Sequence, residues 1–147
     1  MTLEIVDLTD GENISVGPLT IRILEDGSHT GHRLGLVEVT LPPATTGPPQ
    51  HIHREHDETF YVVAGTPTFI CGEERVEGHP GMLLTAPIGT AHTFANFADS
   101  VAVMLCTVTP DRYVDYFREL AGLPPGPPDP EKMGAIMARY ATEVVKT

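Results

Sequence analysis

The sequence has few basic residues and no long apolar run. Nine Lys and Arg stand against 20 Asp and Glu, which makes the formal net charge −11. Because nucleic-acid surfaces need clustered Lys and Arg, we expect no nucleic-acid partner. No run approaches the roughly 20 apolar residues of a membrane span, and the acidic start, MTLEIVDLTDGEN, does not resemble a signal peptide. These absences favour a cytoplasmic protein that binds neither nucleic acid nor membranes.

Cysteine is also scarce. Cys71 and Cys106 lie far apart in the chain, each inside an apolar run and without a CxxC neighbour. This setting argues against a thiolate metal site or a redox pair. We interpret both residues as small buried hydrophobes rather than as a disulfide.

Glycine and proline, by contrast, are plentiful, with fourteen of each. They separate short apolar runs at intervals of about eight to twelve residues, which is typical of a β-sandwich or barrel. Helical periodicity is absent before residue 111. The predicted strands cover residues 19–24, 34–41, 58–65, 67–72, 81–87, 92–97 and 101–108.

The last quarter of the chain changes character. Residues 111–123 place Tyr113, Phe117 and Leu120 at helical spacing, and the segment PPGPPDP then ends that helix. Residues 131–145 predict a second amphipathic helix. Its apolar face would carry Met133, Ile136, Met137, Tyr140 and Val144. We therefore divide the chain into a β-domain, residues 1–110, and a helical extension, residues 111–147, that packs on it or on another subunit.

The chemistry is concentrated in a histidine cluster. In a strand, side chains two residues apart point to the same side, so His51 and His53 would project together. Glu58 begins the next apolar strand after the polar run REHD, and His92 opens another after the turn Pro87-Ile88-Gly89. Three imidazoles and one carboxylate would suit Fe, Mn, Co, Ni, Cu or Zn better than Ca or Mg. Spacing alone leaves a chance grouping of histidines open.

Two segments resemble the motifs of a known superfamily. GPPQHIHREHDETFYVVAG is similar to the first cupin motif, and GMLLTAPIGTAHTFAN is similar to the second. The resemblance covers residues 19–110 and departs from the pattern at Thr45, where the family has a leading Gly. It implies an all-β fold: a double-stranded β-helix, or jelly-roll barrel, here followed by two short C-terminal helices. It also implies one divalent transition metal ion on His51, His53, Glu58 and His92.

The strand after the histidine cluster has two apolar faces. If Glu58 points inward, Phe60 and Val62 should too, while Tyr61 and Val63 point outward. Phe60, together with Phe94 beside His92, is a candidate for substrate binding; ordinary core packing is the alternative. The outer face should also be buried, under the C-terminal helices, a second subunit or both. Cupins commonly form dimers, so we predict a homodimer.

The remaining histidines fit simpler roles. His56, between Glu55 and Asp57, is expected to be solvated, with a stand-in ligand role as the alternative. His29, His32 and His79 lie in predicted loops without partner spacing.

Within the cupins, the chain most resembles small quercetinase-like proteins. HREHDETFYVVAG, VTPDRYVDYFRELAG and PPDPEKMGAIMARYATE carry this likeness. It implies a dioxygenase that acts on a small aromatic or enolic, flavonol-like substrate, with dioxygen as co-substrate and Glu58 as the general base. Two alternatives stay open. One is a non-redox isomerase, cyclase or decarboxylase; the other is a non-catalytic small-molecule-binding protein.

Overall fold

The computed structural model describes residues 2–146 and places strands first and helices last. Twelve strands and two helices follow one another along the chain. The elements are β1 (Glu12–Val16), β2 (Leu19–Glu25), β3 (Gly35–Leu41), β4 (Thr45–Thr46), β5 (His51–His53), β6 (Asp57–Ala64), β7 (Thr68–Cys71), β8 (Glu74–Glu77), β9 (Leu83–Ala86), β10 (Thr93–Asn96), β11 (Ala102–Thr109), α1 (Tyr113–Ala121), α2 (Pro130–Arg139) and β12 (Thr142–Val144).

The strands form two antiparallel sheets that face each other, with a small third sheet beside them. The larger sheet has the order β1-β2-β3-β11-β6-β9, and the smaller has the order β4-β10-β7-β8. β12 pairs with β5 to make the third sheet. This arrangement confirms the predicted jelly-roll barrel followed by two helices. Strands β1, β4 and β8 were not predicted. The residues of β8 are ERVE; all four are exposed, so they show no alternation of buried and exposed positions.

The core lies between the sheets and follows the period-two pattern of the strands. In β3, for example, every second residue is buried. Val37, Leu41, Val62 and Met104 have no exposed surface at all. These apolar side chains belong to one buried core cluster.

Both C-terminal helices contribute to this core. Tyr113, Val114 and Tyr116 of α1, and Ile136 of α2, belong to the same apolar cluster as the barrel residues. α1 lies against β1 and β3. Among residues 2–146, no helix combines the length and apolar character needed to cross a membrane.

The second helix is shorter than predicted. It ends at Arg139, and the residues that were assigned to its last turn form β12 instead. Ala141 adopts a positive φ of 48°, which breaks the helix. Thr142 and Val144 are β-branched, and they pair with the open edge of β5. The apolar helix face therefore does not include Val144.

The C-terminal helices were one of the two covers predicted for the outer face of β6, but they do not cover it. Tyr61 and Val63 are 43% and 46% exposed. The helices lie elsewhere, because α1 packs against β1 and β3 and α2 packs against α1 and β12. Leu83 of β9 pairs with Tyr61 and extends the exposed apolar surface. A second subunit as its cover stays a prediction.

Neighbouring valines of β6 allow the two faces to be compared. Val62→Ala should lower the free energy of unfolding by about 2–3 kcal/mol, because it removes two buried methyl groups and leaves a cavity. Val63→Ala should change it by less than about 0.5 kcal/mol, as exposed substitutions do. Urea unfolding measures both. Equal losses would show that the outer face is covered in solution.

Candidate metal centre

Three short segments bring the predicted ligands to one end of the barrel. His51 and His53 are the two ends of β5, Glu58 lies near the start of β6, and His92 directly precedes β10. Residues 51 and 92 form an isolated antiparallel bridge, in which each backbone N–H donates to the other carbonyl at 3.1 and 3.0 Å. Alternation along β5 turns both of its histidines inward and leaves Ile52 on the other face.

The four side chains converge on one point. Each offers one ligand atom, and these atoms all lie within 4.8 Å of one another. An oxygen of Glu58, Oε2, lies 3.0 Å from Nε2 of His53 and 2.9 Å from Nε2 of His92. All four residues are buried. The cluster of three histidines and one glutamate could therefore bind a metal ion.

Two of the imidazoles are oriented by their own chain neighbours. Nδ1 of His51 lies 2.9 Å from the carbonyl oxygen of Pro49, and Nδ1 of His92 lies 2.9 Å from that of Thr90. A carbonyl only accepts, so Nδ1 must carry the proton in each ring. Nε2 of each ring faces the cluster and can offer its lone pair to a metal ion, which at His92 would replace the hydrogen bond to Glu58.

Burial and mutual proximity shift the pKa values of the cluster. Burial, with the charges of His53 and His92, lowers the pKa of His51 to about 4, so its ring is neutral at pH 7. Burial also acts to lower the pKa of His92, but the hydrogen bond to Glu58, the charge of Glu58 and the Thr90 carbonyl together outweigh it and raise that pKa. For Glu58, burial acts to raise the pKa, but the hydrogen bonds and charges of His53 and His92 together hold it well below its usual range.

The second oxygen of Glu58 meets a thiol. Sγ of Cys106, in β11, lies 3.2 Å from Oε1, so the thiol donates to the carboxylate. Burial, followed by the charge of Glu58, raises the pKa of Cys106 well above its usual value and keeps it protonated. Cys106 is buried as predicted, but Cys71 is exposed, because it ends an edge hairpin. The contact to Glu58 was missed, although alternation along β11 turns Cys106 to the same side as Met104 and Val108.

His56 is buried, contrary to the prediction that it is solvated. Only 4% of its surface is exposed, and its ring lies 4.1 Å from that of His53 and 4.6 Å from that of Tyr113. The charged neighbours suggested a solvated turn, but α1 places Tyr113 over this histidine. Burial, with the charge of His53, lowers its pKa to about 4. His56 lies outside the group of converging ligand atoms, and its Nε2 has no hydrogen-bond partner among the described residues.

An apolar cavity adjoins the cluster. Its volume is about 140 Å³, and His92 forms part of its wall. Phe60 lines it too, with a ring centroid 5.9 Å from that of His92. Phe94 is not in the lining; it packs behind Phe60 at 5.7 Å. The lining residues are Phe60, Phe69, Ile70, Cys71, Glu74, Val76, Leu84, Thr85, Ala86, Thr90, His92 and Thr93.

Comparison with known proteins agrees with this geometry. The family model described as a cupin domain matches residues 37–108, a range that contains all four converging side chains. The chain belongs to the cupin superfamily. A search of curated proteins finds no significant match to this cupin.

Solved structures share its fold. KdgF from Halomonas sp. is 23% identical, with a TM-score of 0.67, and the match covers 76% of this chain and 96% of that one. A sugar phosphate isomerase from Silicibacter pomeroyi is 23% identical, with a TM-score of 0.64 and coverage of 72% and 75%. The polyketide cyclase RemF from Streptomyces resistomycificus is 21% identical, with a TM-score of 0.65 and coverage of 78% and 94%. At these identities the likeness establishes the fold alone.

The ligand set can be tested by metal content. His51→Ala and His53→Ala should each lose most of the bound metal, because each removes one of four converging donors. His79→Ala, which changes an exposed histidine outside the cluster, should keep the parent content. Elemental analysis of the purified variants gives the answer. His56→Ala tests whether His56 is an alternative metal ligand. A loss of bound metal as large as that of His53→Ala would make His56 a ligand.

Proposed function

We propose that this cupin is a metal-dependent enzyme, and specifically a dioxygenase that acts on a small aromatic or enolic compound. The observation that carries the proposal is the junction of the buried cluster and the apolar cavity at His92. A site that combines metal-binding donors with an apolar wall suits a substrate with one polar, ionisable edge and one apolar ring.

The donors fit a first-row transition metal. His51, His53 and His92 would hold it through Nε2 and Glu58 through Oε2, and this mixed nitrogen and oxygen set suits Fe, Mn, Co, Ni, Cu or Zn. Such an ion would supply Lewis acidity and, where it is redox-active, one-electron transfer to dioxygen. The protein's own contribution is to hold the ligands, to exclude water and to move a proton.

Glu58 is the candidate for the proton transfer. It is the carboxylate of the cluster, and it faces the two imidazoles that border the site. Those contacts hold its pKa low, which makes it a weak base while both are in place. To accept a proton from a substrate hydroxyl, Glu58 must give up one of these contacts, and substrate binding beside His92 would disturb the contact to that ring.

The cavity favours the smaller members of the substrate class. Its volume of about 140 Å³ is close to that of an engineered apolar cavity, about 150 Å³, that binds benzene. One ring therefore fits in the enclosed part, whereas a three-ring flavonol would extend into solvent. Phe60 and Phe69 would face the ring, with centroids 5.6 Å apart. We place a single-ring phenol or a compact enol ahead of a flavonol.

Non-redox chemistry is the second candidate. The fold is shared with a sugar phosphate isomerase and a polyketide cyclase, whose names describe reactions without dioxygen. Such a reaction would use the same carboxylate and a Lewis-acidic ion. Binding of a small molecule without turnover is the remaining alternative.

Elemental analysis and oxygen uptake separate these functions. The metal-loaded protein is offered single-ring catechols, compact enols and a flavonol, in air and under nitrogen. A dioxygenase should consume oxygen with a single-ring or enolic compound and stop under nitrogen. Turnover under nitrogen, or with zinc alone, would overturn oxygenation in favour of non-redox chemistry. Tight binding without turnover in either atmosphere would favour the binding module.

Glu58→Gln tests the base directly once a substrate is identified. The amide is nearly isosteric and its oxygen can still coordinate, so much of the metal should stay. It cannot accept a proton, so the rate should fall by about 10²–10⁴-fold. Glu55→Gln, at an exposed carboxylate of the preceding turn, is the matched control and should keep the parent rate. Metal content and rate are measured in one preparation; an unchanged rate would leave Glu58 a ligand only.

A further inference from the structure

We propose that Thr142, in the C-terminal strand β12, is a positioning residue of the metal centre that selects the metal-binding tautomer of His53. The inference rests on the metal-binding part of the proposed function, but it concerns a residue 89 positions away along the chain. Nδ1 of His53 lies 3.0 Å from Oγ1 of Thr142. Both side chains are almost fully buried, at 2% and 3% exposure, so solvent does not compete for this contact.

β12 is held against the ligand strand by backbone pairing. Thr142 lies opposite His53, and Val144 lies opposite His51. Two further bonds flank the ladder, from Arg54 N to the carbonyl of residue 141 at 2.9 Å and from Val145 N to the carbonyl of residue 50 at 2.9 Å. Because β5 has only three residues and its other side carries only an isolated bridge, β12 is its main strand neighbour.

The direction of the hydrogen bond follows from the threonine's own partner. Oγ1 of Thr142 donates its single proton to the carbonyl of Tyr140 at 3.1 Å. The hydroxyl can then only accept from His53, so Nδ1 must carry the ring proton. Nε2 faces Glu58 and the other ligand atoms, and it can offer its lone pair to an ion that takes the place of the proton between it and Glu58.

This arrangement differs from that of the other two imidazoles. His51 and His92 donate to carbonyls two residues earlier in their own segments. A carbonyl is always an acceptor, so those tautomers are set locally. His53 instead depends on a hydroxyl, which accepts only while the Tyr140 carbonyl takes its proton. The C-terminal turn and strand therefore determine whether the third nitrogen donor is available.

The aromatic neighbours of His53 cannot replace this contact. Tyr113 meets the ring edge-on at a centroid distance of 4.4 Å, and His56 lies at 4.1 Å. They restrict rotation of the ring, but ring packing does not choose between tautomers. The opposite tautomer would present an N–H to the ion in place of a lone pair and would remove one of four ligands.

Two substitutions of Thr142 distinguish the effect of its hydroxyl group from that of its shape in strand β12. Thr142→Val keeps the β-branched shape and removes the acceptor; Thr142→Ser keeps the acceptor and removes a methyl group. Loss of an orienting partner typically costs about 10–100-fold in metal affinity. We expect that loss in zinc affinity for Thr142→Val, measured by competition with a chelator, and near-parent affinity for Thr142→Ser. Thr45→Val, which removes another buried threonine hydroxyl that donates to the Pro43 carbonyl, is the matched control and should not change zinc affinity.

Nitrogen-15 spectra of the imidazoles give a readout that lost stability would not produce. In the zinc-loaded parent, His53 should show a protonated, slowly exchanging Nδ1, and Thr142→Val should abolish its slow exchange while the signals of His51 and His92 persist. An unprotonated Nδ1 in the parent overturns the inference, even if Thr142→Val does not fold. So does parent-like zinc affinity in Thr142→Val. If the parent protein itself binds no zinc or other transition metal, the proposed metal centre fails instead.

Discussion

The site depends on the burial of a carboxylate. Glu58 is 3% exposed in the interior of a β-barrel, where an unpaired charge would cost several kcal/mol. Two imidazoles and a thiol surround it, so that both oxygens have partners. Each of those partners is itself buried, and each must be oriented by another contact. The organisation of this end of the barrel follows from that requirement.

The orienting contacts explain why the C-terminal segment lies where it does. Tyr113 packs on the rings of His53 and His56, and Thr142 accepts from His53. Helix α1 carries Tyr113, and strand β12, which pairs with β5, carries Thr142. The extension thus supplies contacts to a ligand as well as apolar surface to the core.

The cupin scaffold leaves the reaction to the details of the site. Proteins with this fold and about one fifth of the sequence in common include an isomerase and a cyclase. What distinguishes this chain is the combination of a small apolar cavity, Phe60 in its wall and a glutamate paired with two imidazoles. Those features constrain the size and polarity of a substrate more closely than the fold does.

The sequence by itself determined what local geometry controls. Alternation along a strand placed His51 and His53 on one side, and the two motifs predicted that Glu58 and His92 join them; the structure brings these four together. Most strands and the two following helices were predictable for the same reason, since strand and helix periods are read over a few residues, whereas the jelly-roll barrel was implied by the resemblance of the two motifs.

Only the tertiary structure decided the contacts between distant segments. Residues 140–145 continue a helical pattern in the sequence. In the structure, Thr142–Val144 instead pair as a strand with the open edge of β5, nearly 90 positions earlier. The burial of His56 depends on where α1 docks, and the outer face of β6 is exposed because the helices dock elsewhere. The partners of Glu58 and His53, Cys106 and Thr142, come from other strands, and no local pattern specifies which strands will be neighbours.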